Sequence, residues 1–154
     1  MTARVRVIGV GQRDRGDDAV GLTVAEHLRG SSVDGIDVVF GAADAAALLA
    51  QLEGFAGVVA IDCASGGGLP GTILRLQGDT ASWPQKRATS SHGNALADAL
   101  ALGAALDSLP RRVSVFAVVG ESFGIGEPLS AAVREVVPEL VRQVLQEATC
   151  MTPG

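Results

Sequence analysis

Acid stands in this chain where a phosphate-binding turn would exclude it. The segment Gly9-Val10-Gly11-Gln12-Arg13-Asp14-Arg15-Gly16-Asp17-Asp18-Ala19-Val20-Gly21 follows apolar residues at Val5, Val7 and Ile8–Val10. It precedes Val20, Val24, Ala25 and Leu28, one face of a helix. A glycine-rich turn between a strand and a helix ordinarily suits an anion, because backbone N–H groups and the helix dipole point at it. Asp17 and Asp18 reverse that preference, so this mouth suits a cation. Two more places carry chemistry: Asp62-Cys63 after the apolar run Val58–Ile61, and Ser90-Ser91-His92 before a second helical pattern. In an open α/β sheet, ligands gather outside the carboxyl ends of the strands. Acids of the first loop, Asp62 and His92 then make a donor set for a hard-to-borderline divalent metal.

Each residue also has a purely structural reading. Asp17 is placed to cap the first helix, and Asp18 favours its dipole. Asp62 reads as a turn residue at a strand end. Ser91 is a better cap than His92 for the helix that follows. His27 falls on the polar side of the first helix, and Asp14 in a solvated loop. A thiol or serine hydrolase would need His92 within hydrogen-bond reach of Cys63 or Ser91. Ser91 and His92 are sequence neighbours, a poor geometry for that pairing.

The elements that must position these groups alternate between strand and helix. Strands are expected near Arg4–Val10, at Ile36–Phe40, at Val58–Ile61 closed by Asp62, at Thr72–Leu76 and at Val113–Val119. Helices are expected near Asp18–Arg29, Asp44–Leu52, Gly93–Leu106 and Ser130–Glu147. Leu96, Leu100 and Gly103-Ala104 give the third helix a close-packing face. In the last helix, Val133, Val136, Val137, Leu140, Val141, Val144 and Leu145 form a broad apolar stripe interrupted by Pro138, which predicts a kink or break. Gln77–Ser91 lacks periodicity and reads as an exposed loop, with Gly78–Ser91 as a mobile insertion. Short strands joined by helical crossovers predict an α/β three-layer sandwich: a mostly parallel, five-stranded twisted sheet with helices on both faces.

Composition agrees with one domain over residues 1–154. Hydrophobic residues make up 47% of the chain and charged residues 19%, which excludes disorder. With aromatics at only 3%, the core must be built from Val, Leu, Ile and Ala. Net charge is −5 and the basic runs Gln85-Lys86-Arg87 and Pro110-Arg111-Arg112 are short, which argues against nucleic acid. No apolar run approaches the roughly 18 residues of a membrane span. Arg4 and Arg6 interrupt the N-terminal apolar stretch, which argues against a signal segment. Cys63 and Cys150 are too few for a disulfide framework, so the expected compartment is the cytoplasm.

Taken in order, these residues resemble the hydrogenase maturation endopeptidases, which trim the large subunit of nickel–iron hydrogenases. That family opens on a strand, G-x-G-N, four variable residues, then Asp with Asp or Glu. Here the run is Gly9-Val10-Gly11-Gln12, then Asp17-Asp18-Ala19-Val20-Gly21. A strand ending in Asp is matched by Ile61-Asp62-Cys63, and a Pro-Gly-Thr entry to the next strand by Pro70-Gly71-Thr72. Ser90-Ser91-His92 matches the family's Ser/Thr-x-His before the long helix. Glu121-Ser122 and Gly126-Glu127-Pro128-Leu129-Ser130 match its late motifs. Departures are Gln12 for Asn, Gly41-Ala42-Ala43 for Gly-Gly-Thr or Gly-Gly-Ser, and Cys63 for Ala.

The resemblance implies an endopeptidase that removes a C-terminal peptide from a nickel-loaded large-subunit precursor. It implies that Asp18, Asp62 and His92 hold nickel, which the substrate carries; no organic cofactor is implied. These three residues should then converge at the carboxyl edge of the sheet. The expected partner is the precursor, with no nucleic acid or membrane, and the protein is read as a monomer. A catalytically degenerate chaperone that binds metal or precursor is the alternative, motivated by Gln12 and Ala42-Ala43.

Overall fold

The computed structural model describes residues 5–30, 33–77 and 95–152 of the chain. Five strands and four helices follow one another among them, alternating except where β4 succeeds β3 directly: β1 (Val5–Gly9), α1 (Val20–Arg29), β2 (Ile36–Phe40), α2 (Ala45–Leu52), β3 (Gly57–Ala64), β4 (Ile73–Gln77), α3 (Ala95–Ala105), β5 (Arg112–Val119) and α4 (Ala131–Met151). One turn of 3₁₀ helix, Gly16–Ala19, precedes α1. The sheet order is β2-β1-β3-β5-β4, parallel throughout except for the antiparallel edge strand β4. The expected mostly parallel, five-stranded architecture is therefore the observed one.

Side-chain alternation along the strands divides the core into two apolar layers. Val5, Val7, Val59, Ile61, Phe116 and Val118 meet α1 and α4 on one face. Ile8, Val58, Ala60, Val113 and Val115 meet α2 and α3 on the other. Central β3 is buried at every position, as a parallel strand covered on both faces must be. Leu96, Ala99, Leu100 and Gly103 form the buried face of α3. A Cβ on Gly103 would come within 2.8 Å of Leu49, so the glycine lets α3 approach α2. Ala104, expected on that face, is exposed.

Two elements run past their expected ends. Strand β3 does not close at Asp62: Asp62, Cys63 and Ala64 pair with Ala117, Val118 and Val119 of β5. A polar residue reads as a stop in sequence, but the long neighbour β5 continues to offer backbone partners. Helix α4 runs uninterrupted through Pro138 to Met151, rather than ending at Glu147. Pro138 lies on the exposed side, where water can satisfy the carbonyl that its missing N–H leaves unpaired. Gln77 belongs to β4, and the expected loop beyond it falls in residues 78–94, outside the described ones. Among the described residues, no helix is long and apolar enough to cross a membrane.

Candidate active site

The crossovers leaving β1 and β2 set the crevice. Helix α1 follows β1 on one face of the sheet and α2 precedes β3 on the other, although β1 and β3 are adjacent. Their carboxyl ends therefore flank a topological switch point, where open α/β sheets bind ligands. Asp18 and Asp62 line one cleft at this place, together with Val10, Gly11, Gln12, Ala42, Ala43 and Ala95. With two carboxylates, the cleft attracts a cation and repels a phosphate.

The first loop is folded so that Asp18 can take part. The Gln12 backbone N–H donates to Asp18 Oδ2 at 3.1 Å. Gly11 has φ +141°, and a Cβ there would lie 1.9 Å from the Asp18 carbonyl oxygen. Only glycine lets this backbone lie against the 3₁₀ turn. Arg13, beside the acids in sequence, pairs with Glu26 and sits 5.5 Å over the Phe40 ring. Asp62 is 5% exposed, and its Oδ1 accepts the Cys63 N–H at 2.7 Å.

Asp17 does a different job from the expected one. No side chain caps the 3₁₀ turn or α1. Asp17 is fully buried, and its Oδ2 accepts from the N–H groups of Glu121 and Ser122 at 2.8 and 3.0 Å. Its Oδ1 accepts from Ser130 N–H at 2.7 Å, and Oδ2 also takes the Ser130 hydroxyl at 2.9 Å. Ser130 is the N-cap of α4, so the Asp17 carboxylate sits at the positive end of that distant helix. Further backbone bonds, Asp17 N–H to Ser122 O and Gly126 N–H to Asp14 O, tie the same two loops together at 2.7 Å each. One aspartate locks the loop and its neighbour faces the cleft.

Cys63 lies in the core between the sheet and the α1/α4 layer, on the opposite face from Asp62. Continuation of β3 through Ala64 enforces this alternation and removes Cys63 as a co-ligand or a nucleophile in the cleft. His27 is exposed on α1, with Nδ1 2.8 Å from the Thr23 carbonyl oxygen, and Asp14 is exposed in its loop. His92, with Ser90 and Ser91, lies outside the described residues. Among the described residues, no group of three His, Cys, Asp or Glu side chains is close enough to hold a metal.

Two members of this region were not foreseen from sequence. Ala95, the first residue of α3, lines the cleft. Gln51 of α2 donates from Nε2 to the Phe40 carbonyl at 3.0 Å and accepts the Ala42 N–H on Oε1 at 2.7 Å. The available signal was a lone amide near the end of an otherwise apolar helix.

The same fold occurs in the hydrogenase maturating endopeptidase HybD from E. coli, with a TM-score of 0.82 and 25% identity over 94% of this chain and 91% of that one. The NiFe hydrogenase maturation protease HybD from Thermococcus kodakarensis superposes with a TM-score of 0.74 and 23% identity, over 94% and 99% of the two chains. HycI from Thermococcus kodakarensis KOD1, another such protease, gives 0.66 and 22% over 96% and 93%. No curated protein matches in a sequence comparison. A family model described as hydrogenase maturation protease matches residues 22–147, a span that contains Asp62 and His92 and begins just after Asp18. The chain belongs to the hydrogenase maturation protease family.

Proposed function

We propose that this protein is the endopeptidase that removes a C-terminal peptide from a nickel-loaded large-subunit precursor of a nickel–iron hydrogenase. The observation that carries the reading is the pairing of Asp18 and Asp62 in one cleft at the β1/β3 switch point, in a member of this family. His92 is the third member of the proposed nickel-reading set. It precedes by three residues Ala95, which lines that cleft.

Two carboxylates and an imidazole take one side of a divalent ion and leave positions for ligands from the substrate. Three ligands alone hold an ion weakly, which suits an ion delivered by the precursor rather than kept by the enzyme. Backbone donors from Gln12 and Cys63 orient the two carboxylates before the precursor arrives.

The test incubates purified protein with nickel-loaded and nickel-free precursor and reads the large-subunit mass. Shortening of the nickel-loaded form alone is the expected result. Tight binding of the loaded precursor with no shortening would overturn the reading and favour an assembly chaperone.

A further inference from the structure

The third wall of the cleft is a short loop with one dedicated support. Gly41-Ala42-Ala43 leaves β2, and Ala42 and Ala43 share the cleft with Asp18 and Asp62. The loop's start is fixed by Gly41 N–H donating to Gly9 O at 2.7 Å. Its end is fixed by Asp44, which caps α2 by accepting the Ala47 N–H at 2.8 Å. The Gln51 amide ties the last residue of β2 to the loop through the Phe40 and Ala42 bonds described above. Arg6 Nη1 donates to the Gln51 carbonyl at 3.1 Å, steadying the helix end that carries the amide.

Helix α2 does not need that amide for its own packing. Leu48, Leu49 and Leu52 bury its apolar side, and Asp44 supplies its cap. Both amide bonds are spent on the end of β2 and the loop that leaves it. The Ala42 N–H is therefore engaged within the protein; Ala42 packs partly against the α2/α3 core layer, and Ala42 and Ala43 bring no polar side chain to the cleft they line.

We propose that Gln51 is a positioning residue for this wall, and that the Ala42–Ala43 wall sets the size of the precursor side chain admitted beside the two aspartates. This inference rests on the endopeptidase reading. A wall held in place keeps a fixed width beside the two aspartates, and a fixed width favours a small residue next to the scissile bond. A loosened wall discriminates less.

The test compares wild type with Gln51→Leu, which keeps the bulk and removes both hydrogen bonds, and with Gln51→Glu, which keeps an acceptor for Ala42. Amide hydrogen exchange at Ala42 should quicken about tenfold in Gln51→Leu. With nickel-loaded precursor, KM should rise about fivefold while kcat stays within about twofold, with Gln51→Glu between the two proteins. Precursors carrying Gly or Leu beside the mapped cleavage point should be discriminated about threefold less well by Gln51→Leu. Unchanged Ala42 exchange, or a fall in kcat at constant KM, would overturn the proposal. If wild type cleaves no precursor, the endopeptidase reading fails by itself. Ala42 exchange and precursor affinity then decide the Gln51 inference: weaker binding by Gln51→Leu supports it, and equal binding overturns it.

Discussion

Helix α4 is held by a buried carboxylate at each end, Asp17 from the first loop and Glu147 of the helix itself, and the two are built differently. At its start, Asp17 collects backbone N–H groups of Glu121, Ser122 and Ser130 along with the Ser130 hydroxyl. Near its finish, Glu147 collects side chains: the Ser114 hydroxyl from β5 and the Arg75 guanidinium from β4. A carboxylate held by backbone donors dictates a loop conformation, because the donors stand at fixed places along the chain. One held by side chains fastens two elements and leaves their loops alone. The first arrangement stands beside the cleft and the second at the other end of the helix. Shape of the site thus depends on the Asp17 end, and the Glu147 end contributes to stability.

The largest expected effects belong to the cleft itself. Asp62→Ala should lower kcat/KM for nickel-loaded precursor about 10³-fold, equivalent to about 4 kcal/mol of transition-state stabilisation. Asp18→Ala should fall in the same range. Urea unfolding should stay within about 1 kcal/mol of wild type for Asp18→Ala and fall by about 1–2 kcal/mol for Asp62→Ala, whose buried carboxylate accepts the Cys63 N–H. Asp17→Ala sharpens the contrast from the other side. Stranding its buried donors should cost about 3 kcal/mol of stability. Activity should fall with it, measured below the unfolding transition, because the loop that carries Asp18 is no longer tied to the 121–130 segment. An Asp17→Ala protein with wild-type stability and activity would break the comparison.

That contrast also explains how far the sequence could be read. Strand β2 was legible to its end residues, and α2 to its last residue, because hydrophobic patterning is a local signal. The first-loop acids and Asp62 were legible as cleft candidates because strand ends in an α/β sheet collect ligands, whereas the choice of Asp18 among those acids came from the family resemblance. The role of Asp17 was not: its donors lie 104 to 113 residues away, and a local capping rule assigns it to the wrong helix. The true end of α4 was hidden for the same reason. Glu147 reads as a polar terminus, yet its partners Ser114 and Arg75 are 33 and 72 residues distant. Asp62 masked the last residues of β3, where polarity serves the cleft and not a turn. Gln51 was missed because the carbonyl and N–H it serves are defined only once the β2–α2 loop has folded.

At the Glu147 end, substitution should be milder and silent in catalysis. Glu147→Gln keeps a hydrogen-bonding partner for Ser114 and loses the charge facing Arg75, whose side chain is 49% exposed. Urea unfolding should report a loss of about 1 kcal/mol, with kcat/KM for nickel-loaded precursor unchanged. A fall in kcat/KM as large as that of Asp17→Ala would erase the distinction between the two ends.

The smallest effect is a pH dependence confined to the same carboxylate. Burial by itself would raise the Glu147 carboxyl, but the Ser114 hydroxyl, Arg75 and the more distant Arg112 together hold it below its ordinary value of 4.5. A depressed folded-state pKa means that the unfolded chain takes up the proton first on acidification. The stabilisation is then fully present above the unfolded value near 4.5 and drains away as pH falls through the lower folded value. Unfolding free energies of wild type and Glu147→Gln should differ by a constant amount from neutral pH down to about 5, then converge below 4.5. Taking the difference between the two proteins cancels every other titrating group they share. A gap that widened on acidification would mean that Glu147 is held in its protonated form, with Arg75 and Ser114 failing to offset its burial.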